Sequence, residues 1–122
     1  MIPEDTVLDF AAGLFRSVWA LDLLLMLRRT QGRRWHDAEI IKELRSSRVV
    51  LAEALNNLMS VGLVIAEDDG TYCYRSGNAD IEETISELER IYAVKPTAVM
   101  RKIVTTPNAK LQILSDAFRI RE

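Results

Sequence analysis

The spacing of apolar residues in this chain changes abruptly at Gly62, and this change limits the folds that are open to it. Before the glycine, apolar residues follow the i, i+3, i+4, i+7 pattern of one helix face: Leu51, Ala54, Leu55 and Leu58. After it come two runs typical of β-strands, residues 63–66 and 71–75, separated by the hairpin-forming dipeptide Asp69-Gly70. The sequence therefore predicts a helix over residues 48–61 followed directly by a two-stranded hairpin.

Three more helices are predicted before this one. The first begins at Pro3 and runs to about residue 12, and Ser17 caps the second, which covers residues 18–29. The third opens with Trp35-His36-Asp37 and carries an apolar stripe of Ile40, Ile41 and Leu44. Because the second helix is apolar on most of its sides, the terminal helices or a second subunit must cover it.

The last part of the chain also predicts helices. Asp80-Ile81-Glu82-Glu83 resembles a capping box that starts a fifth helix, Pro96 starts a sixth, and Thr106-Pro107 starts a last one. The chain thus divides into an N-terminal extension (residues 1–16), a central unit (residues 17–76) and a C-terminal helical segment (residues 77–122) that serves dimerisation or docking. The fold class is mainly α with a small β-hairpin.

Composition and charge exclude several classes of protein. The 122 residues are 48% hydrophobic with a net charge of -2, which is typical of a globular protein and not of a strongly basic nucleic-acid binder. Charge is uneven, however: residues 62–94 carry eight acidic and two basic side chains, and residues 95–122 carry two acidic and six basic ones. The longest apolar stretch, residues 18–27, is about half as long as a bilayer span. A single cysteine and no signal-peptide pattern lead us to expect a cytoplasmic protein without a membrane partner.

Few residues suit catalysis or cofactor binding. His36 is the only histidine, and no cluster of metal-ligand spacing, glycine-rich phosphate loop or nucleophile elbow is present. Cys73, two residues before Arg75, is either a redox-sensitive thiol or an inert residue of the hairpin. We expect no enzyme, no metal and no cofactor.

The end of the fourth helix carries a pattern with a known counterpart. Two leucines three apart are followed by a glycine four residues later and then by another leucine: Leu55, Leu58, Gly62 and Leu63. This pattern resembles the recognition helix and the entry to the wing in winged-helix transcription regulators of the MarR and PadR kind. Asp68-Asp69-Gly70 followed by Tyr72 looks like their wing turn. The resemblance covers about half the chain and implies a winged helix-turn-helix domain that binds DNA.

Six positions of the fourth helix are expected to face outward: Arg48, Val49, Ala52, Glu53, Asn56 and Asn57. Arg48 and the two asparagines are candidates for phosphate or base contacts, since asparagine pairs with adenine through two hydrogen bonds. Lys42 and Arg45 extend this surface. Further arginines surround the turn between the second and third helices: Arg28, Arg29, Arg33 and Arg34. They are interpreted either as a phosphate clamp or as helix-capping groups beside a solvated loop.

The predicted wing tip, Glu67-Asp68-Asp69, argues for a second interpretation. Three acids are unfavourable beside a phosphate backbone, and the regulators that the chain resembles usually carry a basic residue there. The alternative to a DNA-binding regulator is therefore a winged helix that binds a protein partner and not DNA. A homodimer is expected for the first interpretation, because DNA half-sites are commonly read by twofold dimers.

Overall fold

The computed structural model describes residues 2–105, which form six helices and three short strands. The elements, in chain order, are α1 (Glu4–Leu14), α2 (Val18–Arg29), β1 (Trp35–His36), α3 (Asp37–Leu44), α4 (Arg48–Ser60), β2 (Val64–Ala66), β3 (Thr71–Tyr74), α5 (Ala79–Val94) and α6 (Pro96–Val104). The prediction of a mainly helical chain with a small amount of β-structure is confirmed. The helix predicted to begin at Thr106-Pro107 lies outside the described residues.

The sheet has three antiparallel strands in the order β1-β3-β2, one strand more than predicted. In the hairpin, Val64 lies opposite Tyr74, and on the other side of β3 the strand β1 places Trp35 opposite Tyr72. The prediction that Trp35 and His36 open the third helix is wrong. Two residues are too few to show a strand periodicity, and this strand exists only because β3 lies beside it.

Local signals define most of the helix ends. Ser17 caps α2 as predicted, with its Oγ accepting from the Ala20 N–H at 3.2 Å. Beyond the end of α4, Gly62 adopts the left-handed φ of +78°, and the Leu63 N–H donates to the Leu58 carbonyl at 3.0 Å. The capping box predicted at Asp80 is wrong, because α5 begins earlier and its N-cap is Asn78, whose Oδ1 accepts from two backbone N–H groups.

Helix α2 lies at the centre of the core. Between residues 20 and 27 only Asp22 is not fully buried, and its carboxylate accepts a hydrogen bond from the Tyr92 hydroxyl of α5 at 2.8 Å. The helices α4 and α6 and the strand β3 contact α2, and α1 meets it at an angle of 106°. The chain itself therefore covers most of the apolar surface of α2, and Trp19 is left 40% exposed. Within residues 2–105, no single helix has both the length and the apolar character needed to cross a bilayer.

A buried asparagine joins the corner between α1 and α2 to α4. Asn57 is only 2% exposed; its Oδ1 accepts from the Arg16 N–H at 2.8 Å, and its Nδ2 donates to the Leu14 carbonyl at 3.0 Å. The prediction that Asn57 faces outward is therefore wrong. The helical wheel of α4 places Asn57 away from the leucine face, but the α1–α2 corner covers this side of the helix as well.

Replacing Asn57 with alanine is expected to lower the free energy of unfolding by about 2–3 kcal/mol, because a backbone donor and a backbone acceptor lose their buried partner. The neighbouring substitution Asn56→Ala is the matched control, since Asn56 is exposed, and it should change stability by less than about 0.5 kcal/mol. Urea unfolding followed by circular dichroism measures both. Equal effects of the two substitutions would contradict the clamping role of Asn57.

Candidate functional site

The outer face of α4 carries most of the predicted site residues, and it is exposed to solvent. Five of the six positions predicted to face outward are exposed, and Asn57 is the exception: Arg48, Val49, Ala52, Glu53 and Asn56. Val49 is 68% exposed. The leucines of the opposite face are buried in the core. The helix is thus fixed on one side and free on the other.

Three cations surround the turn between α3 and α4, and we call them the turn cations: Lys42, Arg45 and Arg48. All three are exposed, and no ion pair joins any of them to another residue in the described part of the chain. Arg45 has a φ of +54°, in the left-handed region, where side chains other than glycine cost about 1 kcal/mol. Its backbone ends α3, because the Arg45 and Ser46 N–H groups both donate to the Ile41 carbonyl.

An open groove of about 450 Å³ lies beside this turn, and both cations and carboxylates line it: Arg33, Trp35, Glu39, Lys42, Glu43 and Arg45. The guanidinium of Arg33 lies 3.6 Å above the centroid of the Trp35 ring, and it forms an ion pair with Glu39 at 3.3 Å. The hydrogen bond from the His36 backbone, together with Arg33, lowers the pKa of the Glu39 carboxyl. The groove therefore holds Arg33 in place while leaving its guanidinium half-exposed.

The tip of the β2–β3 hairpin presents less unpaired negative charge than its three consecutive acids suggest. Asp69 accepts from the Thr71 hydroxyl at 2.6 Å and from the Thr71 N–H at 3.1 Å, and its other oxygen lies 3.6 Å from Arg34. These interactions lower the pKa of Asp69, the Thr71 hydroxyl contributing most. Asp69 is thus engaged by Thr71 and Arg34, whereas the exposed Asp68 has no hydrogen bond or ion pair to another described residue.

The side chain of Cys73 lies beside a carboxylate. Its Sγ donates a hydrogen bond to the Glu67 carboxylate at 3.5 Å. Burial and the negative charge of Glu67 raise the pKa of the Cys73 thiol, and Arg34 and Arg75 do not offset this. A thiolate is disfavoured here, so the environment gives no support to the redox interpretation of Cys73.

The predicted cluster of four arginines is divided in the structure. Arg33 and Arg34 lie in the loop before β1, whereas Arg28 is bonded to α5 and its side chain is only 15% exposed. Arg28 pairs with Glu89 at 2.6 Å and with Glu82 at 2.8 Å, and it also donates to the Ser86 hydroxyl. Arg28 therefore joins α2 to α5 and does not contribute to an exposed cationic surface.

Glu82 connects this network to the sheet, because the Tyr74 hydroxyl of β3 also donates to its carboxylate. Burial alone would raise the pKa of Glu82, but the hydrogen bonds from Tyr74 and Arg28 outweigh it and lower the pKa below the ordinary value of 4.5. Burial and the adjacent carboxylate raise the pKa of Tyr74 to about 12. The ionised Glu82 is thus the form that the folded protein favours.

A carboxyl with a lowered pKa in the folded state stabilises the fold above its unfolded pKa, and this contribution is lost as the pH falls through the folded value. We therefore expect the Glu82→Gln variant to lose less stability than the wild type between pH 6 and pH 3. Urea unfolding at each pH measures the difference. Glu83→Gln, a change at the exposed neighbouring position, should keep the wild-type pH dependence, and a flattened profile in that control would contradict the assignment to Glu82.

A narrow cleft of about 150 Å³ separates α4 from the sheet, and residues from both sides line it: Asp37, Arg48, Leu51, Ala52, Leu55, Asn56, Met59 and Tyr72. Asp37 has one buried carboxylate oxygen without a hydrogen-bond partner among the described residues. Burial and this carboxylate raise the pKa of Tyr72. The cleft places the edge of α4 that carries Arg48 and Asn56 next to the sheet.

Within residues 2–105, no group of three or more His, Cys, Asp or Glu side chains is arranged to hold a metal ion. Comparison of the chain with protein-family models, with curated proteins and with solved structures finds no significant match. The functional inference therefore depends on the geometry and charge of α3, α4 and the hairpin.

Sequence reasoning identified most of this surface but missed two of its features. It did not separate Arg28 from the exposed arginines, although a pairing with the acidic helix α5 is compatible with the charge pattern. It also did not include Trp35 and Glu39, which hold Arg33 in the groove. An acid six residues after an arginine was the only available signal for the Arg33–Glu39 pair.

Proposed function

We propose that residues 17–76 form a winged helix-turn-helix domain that binds double-stranded DNA, and that the protein is a transcription regulator. In this assignment α3 and α4 are the helix-turn-helix, α4 is the recognition helix and the β2–β3 hairpin is the wing. The observation that carries the proposal is the exposed face of α4, which follows directly on the three turn cations.

The size and chemistry of this surface suit a DNA duplex. An α-helix fits the major groove, where its outer side chains reach the base edges. Arg48 lies in the first turn of α4, and the positive end of the helix dipole adds to its attraction for a phosphate. Lys42 and Arg45 supply two further charges for the backbone, and Arg33 and Arg34 lie in the loop before β1.

The acidic wing is compatible with this proposal because one of its acids is already engaged. The carboxylate of Asp69 has two hydrogen bonds from Thr71 and an ion pair with Arg34. Only part of the negative charge implied by the sequence therefore opposes a phosphate. The proposal assigns DNA affinity to α4 and the turn cations, and it gives the wing no attractive contact.

The proposal predicts DNA binding that weakens steeply with salt, because each phosphate contact releases counterions. A labelled random duplex should bind the full chain at low salt in fluorescence anisotropy. Arg48→Ala should reduce the slope of log affinity against log salt concentration by about 1. Arg101→Ala removes the same charge from an exposed position on α6 and should leave the slope unchanged.

The Arg45→Gly variant separates a loss of DNA contact from a loss of folding stability. Glycine adopts the left-handed φ of this position without strain, so the variant removes the guanidinium while the fold keeps its stability. A folded Arg45→Gly variant with reduced affinity supports the proposal. If the wild type does not bind duplex at low salt, the proposal is wrong, and the second candidate is favoured.

The second candidate is a protein-interaction module that uses the same face of α4. Val49 is 68% exposed and can make an apolar contact with a protein partner but not with a phosphate. The carboxylate of Asp68 repels a nucleic acid. The duplex titration separates the two candidates, since a protein-interaction module has no reason to bind random DNA in a salt-dependent way.

We infer further that the regulator acts as a homodimer. Apolar side chains remain exposed on α5 and α6: Val94 (69%), Met100 (39%) and Val104 (61%). The elements packed against α4 are α2, α3 and β2, and not α5 or α6, so a second copy that covers these side chains leaves both recognition helices free.

A homodimer has twice the mass of the 13.9 kDa chain, and light scattering after size exclusion measures it at micromolar concentration. Val104→Lys should shift the wild-type dimer toward the monomer, because a charge would be buried in the interface. Val49→Lys introduces the same charge at an equally exposed valine of α4 and should leave the mass unchanged. A wild-type protein with the mass of one chain would contradict the dimer.

A further inference from the structure

The exposed face of α4 carries apolar and polar side chains but only one basic residue, Arg48. Val49, Ala52 and Asn56 follow one another at i, i+3 and i+7, which places them on one side of the helix. Glu53 lies on the same exposed surface. After Arg48 in the first turn, the described face of α4 carries no basic residue. Because Arg48 is assigned to a phosphate, base reading by the rest of this helix depends on two apolar groups, one amide and one carboxylate.

The amide of Asn56 is available for a ligand, in contrast to its neighbour. Asn57 uses both ends of its side chain within the fold, whereas no hydrogen bond joins the Asn56 side chain to another described residue. Asn56 also borders the cleft between α4 and the sheet, so its amide lies at the edge of the surface nearest the wing. It can therefore donate and accept at the same time.

The four base pairs differ in what they offer to such a surface. Adenine presents a donor and an acceptor side by side in the major groove, which match an asparagine amide, and thymine presents a methyl group that favours apolar contact. Guanine presents two acceptors, which suit arginine or lysine and not a carboxylate. Val49 and Ala52 thus match thymine and Asn56 matches adenine. Glu53 is only an acceptor, so it matches the amino group of adenine or cytosine and not guanine, and the preference for A·T rests on the other three residues.

We propose that α4 reads A·T base pairs through the major groove, with Asn56 bonded to an adenine and Val49 and Ala52 in contact with thymine methyl groups. This inference rests on the proposed function, and it names the class of DNA that the site selects. The turn cations supply affinity that does not depend on sequence, and the small outer face of α4 supplies the selection.

The first test selects bound duplexes from a random library with the full chain. A·T pairs should be enriched at the positions that α4 contacts, and guanine should be depleted there. In duplexes that carry the selected site, Asn56→Ala should abolish the preference for adenine at one position, with a loss of roughly tenfold in affinity. Selection of guanine at that position would overturn the proposal.

The second test removes single methyl groups from the DNA. Replacing a contacted thymine with deoxyuridine changes only the 5-methyl group, and it should weaken binding by about fourfold, as expected for one buried methyl. In the Val49→Ala protein the same replacement should have a much smaller effect, because the partner of that methyl is gone. Val61→Ala, at the end of α4, is the control and should keep the full effect of deoxyuridine.

The outcomes distinguish this inference from the proposed function. Salt-dependent binding without any effect of deoxyuridine and without A·T enrichment leaves DNA binding in place and overturns the reading by Val49 and Asn56. Absence of salt-dependent duplex binding overturns both.

Discussion

The burial of α2 sets the arrangement of the other helices and of the sheet. A helix that is apolar on nearly all sides leaves no stable position for itself except the centre of the core, so the other elements are arranged around it. Asp22 is the polar residue within the apolar stretch of α2, and its carboxylate accepts a hydrogen bond from the Tyr92 hydroxyl of α5. Arg28, near the C-terminal end of α2, forms ion pairs with two glutamates of α5. These polar contacts give α5 one orientation against α2, which an apolar surface alone would not specify. The leucine face of α4 packs against this core, and its opposite face remains in solvent.

The position of α4 depends in addition on contacts far apart in the chain. Asn57 bonds to backbone groups of the α1–α2 corner, so the rotation of α4 about its own axis is tied to the N-terminal helix. Arg45 ends α3 in a left-handed conformation and keeps its charge exposed at the turn. The proposed DNA interface therefore consists of a helix whose orientation is set by buried hydrogen bonds and whose affinity is set by exposed charge. The two properties come from different residues.

Much of the architecture follows from local patterns. The bounds of α2, the cap at Ser17, the end of α4 at Gly62 and the hairpin around Asp69-Gly70 all depend on signals within a few residues, and the structure agrees with them. Apart from the capping box predicted at Asp80, the errors have a common origin. Strand β1, the partners of Arg28 and the burial of Asn57 each depend on residues that lie more than thirty positions away in the chain. In the candidate site, exposure was predicted well, because the leucine spacing of α4 locates its buried face and so its opposite face.

Asn56 and Asn57 illustrate the difference between what sequence patterns predict and what tertiary packing adds. Periodicity and the conformational preferences of single residues are enough to predict that a helix passes through both residues, that its leucines are buried and that a hairpin follows. Which asparagine is exposed and which is buried depends on how the helix packs against the rest of the fold. Adjacent residues of a helix point about 100° apart, and the α1–α2 corner covers one of these two directions and not the other.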